Sequence, residues 1–303
     1  MNQNREVLLR VEHLCQHFGK NRAVDDVSFE LCRGEVFGLV GESGCGKTTT
    51  GRCIMGLYPV TSGKISFNGR PITPGRAGGE RKIQMIFQDP MASLDPRMTV
   101  REIIGEGLII GGLQDRALLK QKTDEMLELV GLRREYADRY PHEFSGGQRQ
   151  RIGIARAIIM DPELLIADEP ISALDVSIQA QVMNLLGDLR KKMNLTVLFI
   201  AHDLSVVKYF SDRIGVMYLG KLVELAASEE LFAHPLHPYT QSLLSAIPLP
   251  DPRRERRRRR ISYDPGLAHD YSRETPRMQE ITPGHLAYCN GAEAAEYQKI
   301  LKP

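Results

Sequence analysis

Short runs of consecutive apolar residues recur along the chain, and segments with apolar residues at helical spacing lie between them. The runs at 35–41, 164–168 and 196–202 are typical of strands that are buried on both faces of a parallel sheet. One face of the predicted helix after the second run carries Ile178, Val182, Leu185, Leu189 and Met193. Repetition of strand and helix predicts an α/β fold with a mostly parallel core sheet.

Two other kinds of segment accompany this core. Residues 7–19 and 23–34 alternate in polarity, which predicts antiparallel strands joined near Gly19, and 63–69 predicts another short strand of the same β subdomain. From about 93 to 160 the apolar residues follow helical spacing, so we expect a helical subdomain inserted between sheet strands. The apolar stripe of this insert contains Leu118, Leu119, Met126, Leu127 and Val130.

The pattern changes near residue 250. Before it, 212–224 predicts a hairpin that turns at Gly220, and 236–248 predicts a short helix. Three prolines and then seven arginines follow, the arginines all within 253–260. Such a run is typical of a solvated linker, and contact with anionic lipid headgroups is the alternative. Residues 261–303 are polar with little periodicity.

Composition narrows the class of protein. The net charge of +2 argues against nucleic acid as the main partner, because binding to phosphate backbones usually requires a strong basic excess. The five cysteines are scattered, which favours free thiols in a reducing cytoplasm. No apolar stretch near the first residue resembles a signal peptide. The apolar segment 102–113 is too short to span a bilayer and carries Glu102 and Glu106. We therefore expect any membrane role to be performed from outside the bilayer.

A phosphate-binding loop follows the first buried run. The sequence GESGCGKT at 41–48 matches G-x-x-x-x-G-K-[ST] between a predicted strand and a predicted helix, a context that a chance glycine-rich turn lacks. Glycines permit a tight loop of inward-facing amides, Lys47 adds charge near the β and γ phosphates, and Thr48 offers a hydroxyl to Mg²⁺. We expect Cys45 only to fill space. The predicted ATP contacts here are Gly41, Glu42, Ser43, Gly44, Cys45, Gly46, Lys47, Thr48 and Thr49.

Two acidic residues end the second buried run, in LLIADEP at 164–170. The carboxyl end of a strand is where such sheets place their ligands, and buried acids are costly unless they are functional. We expect Asp168 to hold Mg²⁺ and Glu169 to be the general base that polarises water toward the γ-phosphate.

Four further motifs complete a recognisable set. FQDP at 87–90, FSGGQRQR at 144–151, SALD at 172–175 and AHD at 201–203 occur together with the two sites above. In this order, the set resembles the ATPase subunits of ABC transporters over residues 5 to about 250. The resemblance implies a P-loop ABC ATPase fold, with an antiparallel β subdomain and a helical subdomain beside the core sheet.

The resemblance also implies domains and site residues. The nucleotide-binding domain is expected over 1–250, and an arginine-rich linker and C-terminal extension over 251–303. Matched positions assign Gln88 to contact with Mg²⁺ and the attacking water, His202 to the γ-phosphate, and Asp175 to the dimer interface. Phe18 matches an aromatic residue that stacks on adenine, and a core aromatic residue is the alternative for it.

The segment FSGGQRQR contains no base, thiol or metal ligand. Ser145 is expected to cap a helix that begins near Gln148, while Gly146 and Gly147 let backbone amides approach an anion at the positive helix end. In the family that anion is the γ-phosphate of ATP bound to the partner subunit. The expected nucleotide contacts are therefore Ser145, Gly146, Gly147 and Gln148.

Segments 87–100, 234–248 and 280–290 resemble the oligopeptide and dipeptide importer branch of the family. This implies a peripheral subunit at the cytoplasmic face of the cell membrane. Its expected partners are a second ATPase subunit in a heterodimer, two transmembrane permease subunits and an extracytoplasmic substrate-binding protein, without nucleic acid. The substrate stays open among peptides, nickel and glutathione. Some members of the branch bind an iron–sulfur cluster, but Cys289 is the only cysteine after residue 53, so we expect none.

Three other classes of protein are alternatives to this importer subunit. A soluble ABC ATPase acting on the ribosome or DNA is supported only by the arginine run. A structural partner that does not hydrolyse ATP is disfavoured because every catalytic position holds the expected residue. A P-loop GTPase is disfavoured because this chain lacks the N-K-x-D motif that reads guanine.

Overall fold

The computed structural model describes residues 6–72, 82–172, 174–247 and 260–301. Two sheets organise this part of the chain. The larger sheet contains, in spatial order, β11 (Arg277–Thr282), β12 (His285–Cys289), β10 (Lys221–Ala227), β9 (Arg213–Tyr218), β3 (Val36–Val40), β8 (Thr196–Ala201), β7 (Leu164–Asp168) and β6 (Ile83–Ile86). The smaller sheet contains β2 (Asn21–Cys32), β1 (Val7–Phe18), β4 (Ser62–Phe67) and β5 (Arg70–Pro71).

Strand direction divides the larger sheet into a core and an edge. Neighbouring strands from β9 to β6 are parallel, whereas β9, β10, β12 and β11 pair antiparallel. All pairings in the smaller sheet are antiparallel. The predicted α/β class, with a mostly parallel core and an antiparallel β subdomain, is confirmed.

Helices connect and cover the strands. They are α1 (Lys47–Ile54), α2 (Val100–Ile110), α3 (Arg116–Leu129), α4 (Gly146–Ile158), α5 (Val176–Met193), α6 (Leu204–Phe210), α7 (Ser228–Ala233), α8 (Pro238–Ala246), α9 (Pro265–Ala268) and α10 (Gly291–Leu301). Short 3₁₀ helices occupy Arg134–Asp138 and Pro141–Glu143. Among the described residues, no helix combines the length and apolarity needed to cross a bilayer.

Alternation within the central strands produces two apolar layers. In β3, Val36 and Val40 belong to the layer on the side of α2, α4 and α5, whereas Phe37 and Leu39 belong to the layer shared with the smaller sheet. Every residue of β3, β7 and β8 is buried. Both faces of the parallel core are therefore covered, which explains the uninterrupted apolar runs in the sequence.

The helical insert lies between β6 and β7 and contains α2, α3 and α4. Thr99 and Glu102 form a capping box at the start of α2, and Asp115 caps α3. The stripe predicted for α3 is only partly buried: Leu127 is fully buried, but Leu118 is 36% exposed. An apolar position at helical spacing can therefore still lie at the margin of a helix contact.

The residues after 260 join the main sheet. β12 pairs with β10 through Glu224 and Ala287, and β11 extends the sheet beyond it. The weak periodicity of 261–303 did not predict this hairpin. Of the arginine run, only Arg260 is described, and it is exposed; the rest of the run, at 253–259, lies outside the described residues.

Candidate nucleotide site

Three parallel strands end at one edge of the core sheet. β3 leads into the phosphate-binding loop, β7 ends at Asp168, and β8 ends one residue before His202. Because the strands are parallel and adjacent, residues that are far apart in sequence reach the same edge. Thr48 and Thr49 lie in the first turn of α1, which starts directly after the loop.

Close backbone contacts require glycine in the loop. Gly41 has φ +149°, and a Cβ atom there would lie 2.2 Å from the carbonyl oxygen of Met217. Gly46 has φ +106°, and a Cβ atom there would lie 2.2 Å from the carbonyl oxygen of Ala23. The loop is thus enclosed between β9 and β2, and only glycine fits these two positions.

Lys47 is 4% exposed and folds back over the loop. Its Nζ donates hydrogen bonds to the carbonyl oxygens of Gly41 (2.7 Å) and Glu42 (2.8 Å). The Cys45 thiol beside it is buried, and burial raises its pKa. Cys45 therefore stays a neutral, small side chain, whereas Lys47 brings a positive charge into the loop.

The Thr48 hydroxyl donates to Oδ1 of Asp168 at 2.8 Å. Asp168 is 1% exposed; burial raises its pKa, while the Thr48 hydrogen bond acts in the opposite direction. A buried carboxylate beside a hydroxyl supplies the hard oxygen donors that Mg²⁺ prefers. The two side chains therefore fit the predicted metal position.

Two side chains that follow other strands contact the carboxylate of Glu169. Its Oε2 accepts from Nε2 of Gln88 at 3.1 Å and lies 3.2 Å from Nδ1 of His202. The backbone of Glu169 has φ +44°, an uncommon value for a residue with a side chain, and its N–H donates to the Ile200 carbonyl. A cavity of about 620 Å³ lies over these groups and is lined by Ser43, Gln88, Asp89, Glu169, Ser172 and His202.

Phe18 ends β1 and is 46% exposed. Its ring meets Tyr58 edge-on, with 5.4 Å between centroids. Phe18 is therefore not a core aromatic residue, which was the alternative interpretation. The exposed ring lies on the β1–β2 hairpin, and Ala23 of the same hairpin touches the phosphate-binding loop at Gly46.

Ser145 caps α4, which begins at Gly146, two residues earlier than the sequence predicted. Its Oγ accepts from the Gln148 N–H at 3.4 Å, and the Gln148 side chain accepts from the Ser145 N–H at 3.0 Å. Ser145 and Gly146 are exposed and do not border the cavity. Asp175, at the N-terminus of α5, is also exposed.

The structure adds three residues that the sequence had not assigned. Asp89 and Ser172 line the cavity, and both stand inside the motifs FQDP and SALD, which already pointed to them. Tyr239 in α8 accepts a hydrogen bond from the N–H of Glu42 at 3.1 Å. Nothing in the local sequence around Tyr239 indicates this contact.

Comparison with known proteins identifies the family. The family model described as ABC transporter matches residues 24–172, and the one described as oligopeptide/dipeptide transporter, C-terminal region, matches 223–273. The oligopeptide transport ATP-binding protein OppF of Bacillus subtilis is 60% identical over 298 residues, which is 95% of this chain and 98% of that protein. The chain belongs to the ABC transporter ATP-binding proteins. The predicted family and its oligopeptide/dipeptide branch are confirmed.

Other members of this ABC family agree in sequence and fold. The dipeptide transport ATP-binding protein DppF of Lactococcus lactis is 54% identical, covering 93% of this chain and 92% of that protein. The structure of cbiO1 from Clostridium perfringens matches with TM-score 0.68 and 28% identity, over 75% of this chain and 91% of that one. A dimer of the ATP-binding cassette MJ0796 bound to ADP and Pi matches with TM-score 0.66 and 27% identity, over 73% and 99% respectively. The chain is thus a nucleotide-binding ABC ATPase.

Proposed function

We propose that the chain is the ATP-hydrolysing subunit of a bacterial importer for oligopeptides or dipeptides. It acts at the cytoplasmic face of the membrane and drives two transmembrane permease subunits. An extracytoplasmic binding protein supplies the substrate. The names of the relatives and the match of residues 223–273 to the oligopeptide/dipeptide region support this assignment.

The contacts of Glu169 carry the catalytic part of the proposal. Gln88 comes from the loop after β6 and His202 from the end of β8, yet both meet the same carboxylate oxygen of Glu169. A base held by two polar neighbours beside a cavity is oriented to accept a proton from water. In this mechanism Glu169 activates the water, while Gln88 and His202 position it and the γ-phosphate.

Charge on the phosphates is balanced from the loop side. When ATP binds, the Lys47 amine leaves the carbonyl oxygens of Gly41 and Glu42 and contacts the β and γ phosphates. Thr48 and Asp168 would hold Mg²⁺, which when bound would supply positive charge to the phosphate oxygens. The exposed ring of Phe18 stacks on adenine.

A second subunit completes the site. The N-terminus of α4, with Ser145, Gly146, Gly147 and Gln148, faces the γ-phosphate of ATP on the partner, and Asp175 lies at the same interface. The exposure of Ser145 and Gly146 and their absence from the cavity lining support this arrangement. The partner is a related ATPase subunit, so the working unit is a heterodimer.

Purification from detergent extracts of its host tests the assignment. The tagged chain should carry with it two polytopic membrane proteins and a second ATPase, and the complex should hydrolyse ATP. A Lys47→Ala variant should capture the same partners without hydrolysis. Recovery of ribosomes or DNA in place of membrane subunits would instead support the soluble alternative.

A further inference from the structure

A tyrosine from the far end of the cassette touches the phosphate-binding loop. Tyr239 lies in α8 and is only 2% exposed. Its hydroxyl accepts a hydrogen bond from the N–H of Glu42 at 3.1 Å, across 197 residues of chain. Glu42 is the second residue of the loop. The contact therefore joins the segment after the sheet to the start of the nucleotide site.

Tyr239 and Lys47 both form hydrogen bonds with the Gly41–Glu42 peptide unit. The carbonyl of the Gly41–Glu42 peptide accepts from Nζ of Lys47 at 2.7 Å, and the N–H of that peptide donates to Tyr239. Gly41 has φ +149° and carries no side chain. Its own backbone therefore restricts the orientation of this peptide less than another residue would. With both ends bonded, the peptide plane has one orientation.

We propose that Tyr239 is a positioning residue for nucleotide binding, which fixes the Gly41–Glu42 peptide and through it the direction of Lys47. The hydroxyl acts on the loop backbone. It fixes the orientation of the Gly41 carbonyl, which binds Lys47 before ATP arrives. The Lys47 amine is then already directed toward the position of the phosphates. This inference rests on the proposed role of Lys47.

Tyr239 is itself held firmly. Its ring packs against Tyr218 and Tyr263 at centroid distances of 4.4 and 5.5 Å. Its backbone N–H donates to Nδ1 of His237 at 3.1 Å. Burial raises the pKa of the Tyr239 hydroxyl, which keeps it neutral. A rigid tyrosine can therefore impose its position on a glycine-rich loop.

A buried carboxylate links this tyrosine to the C-terminal extension. Glu224 of β10 accepts the N–H groups of Leu236 (2.8 Å) and His237 (3.0 Å), just before α8. The same carboxylate lies 2.8 Å from Nε2 of His285 in β12. The contacts run from β12 through Glu224 to the residues before α8, so the extension adjoins the segment that carries Tyr239.

The test compares two tyrosine hydroxyls in the isolated subunit. Tyr239→Phe keeps the ring but removes the acceptor for the Glu42 N–H, and it should weaken ATP binding by about tenfold, on the scale of one lost hydrogen bond that orders the loop. Hydrogen–deuterium exchange at the Glu42 amide should become faster, without faster exchange across α8. The control Tyr263→Phe removes a hydroxyl that contacts His269 and should change neither quantity.

Three results would overturn the inference. The first is wild-type ATP affinity and wild-type exchange of Glu42 in Tyr239→Phe. The second is faster exchange throughout α8, because the tyrosine would then only support its helix. The third is an equal effect of Tyr263→Phe. Lys47→Ala separates the two claims: normal ATP binding by that variant would overturn the proposed role of Lys47 instead.

Discussion

At the scale of single residues, the side chain of Glu169 combines low exposure with two polar contacts. Replacing it with glutamine keeps its size but removes its ability to accept a proton. We expect Glu169→Gln to bind ATP as the wild type does and to lose about 10²–10⁴-fold in turnover, the usual share of a general base. ATP should then trap a closed dimer, visible by size-exclusion chromatography.

The exposed Glu12→Gln provides the control for that experiment, since it makes the same chemical change outside the site. Its turnover should equal that of the wild type. Unchanged turnover in Glu169→Gln would remove Glu169 from the role of base.

Two glycines of the phosphate-binding loop distinguish backbone strain from a steric clash of an added side chain. Gly41 and Gly44 both have positive φ, but a Cβ atom at Gly41 would lie 2.2 Å from the Met217 oxygen, whereas nothing lies within 4 Å at Gly44. Gly41→Ala should therefore lower the free energy of unfolding by about 1–3 kcal/mol more than Gly44→Ala, the usual cost of overpacking. Urea unfolding without nucleotide measures the difference, and equal losses would contradict it.

At the scale of elements, α4 presents a capped N-terminus to solvent. Ser145→Asp retains an oxygen that accepts from the Gln148 N–H, so the helix should keep its stability. The added negative charge should repel the γ-phosphate bound to a partner subunit. We expect unchanged ATP affinity in the isolated subunit and loss of ATP-dependent dimer closure.

Ser145→Asn supplies the matched control, because it caps the helix without adding charge. ATP-dependent dimer closure should be more complete with Ser145→Asn than with Ser145→Asp. Loss of ATP binding by the isolated Ser145→Asp subunit would show that this segment acts on its own nucleotide.

Elements with strong local signals were predictable from the sequence, and elements defined by distant contacts were not. The core strands β3, β7 and β8 were predictable because both of their faces are buried. The four-residue strand β6 gives too short a pattern. β11 has a single buried position, and the positions between the buried residues of β12 are only partly exposed.

The same physical limit applies to the site. The loop around Lys47 is a local motif, so its residues were predictable from spacing alone. The hydrogen bond between Glu42 and Tyr239 depends on how α8 docks against the rest of the fold. A sequence pattern contains no direct signal for such a contact.

At the scale of the whole molecule, a buried histidine makes stability depend on pH. His237 is 1% exposed, and burial lowers its pKa from the ordinary 6.5 to about 3, with a further contribution from His269. Between these values the unfolded chain binds a proton that the folded protein does not. Stability should therefore fall on acidification through this window, by at most roughly 1.4 kcal/mol per pH unit from this group.

Urea unfolding at pH 7, 6 and 5 measures this dependence. His237→Asn keeps an acceptor for the Tyr239 N–H at the start of α8 but cannot titrate, so its stability should fall less steeply. Identical pH dependence in the two proteins would exclude His237 as a source.

The pairing of β12 with β10 has a consequence for how the subunit is made. β10 leaves the ribosome long before its outer neighbour, since Glu224 and His285 are 61 residues apart. During that interval the outer edge of β10 presents unpaired backbone groups, and such an edge can recruit a strand from another chain. The C-terminal hairpin pairs with β10 through β12 and places β11 at the outside of the sheet. Synthesis of the hairpin therefore moves the free edge of the sheet from β10 to β11.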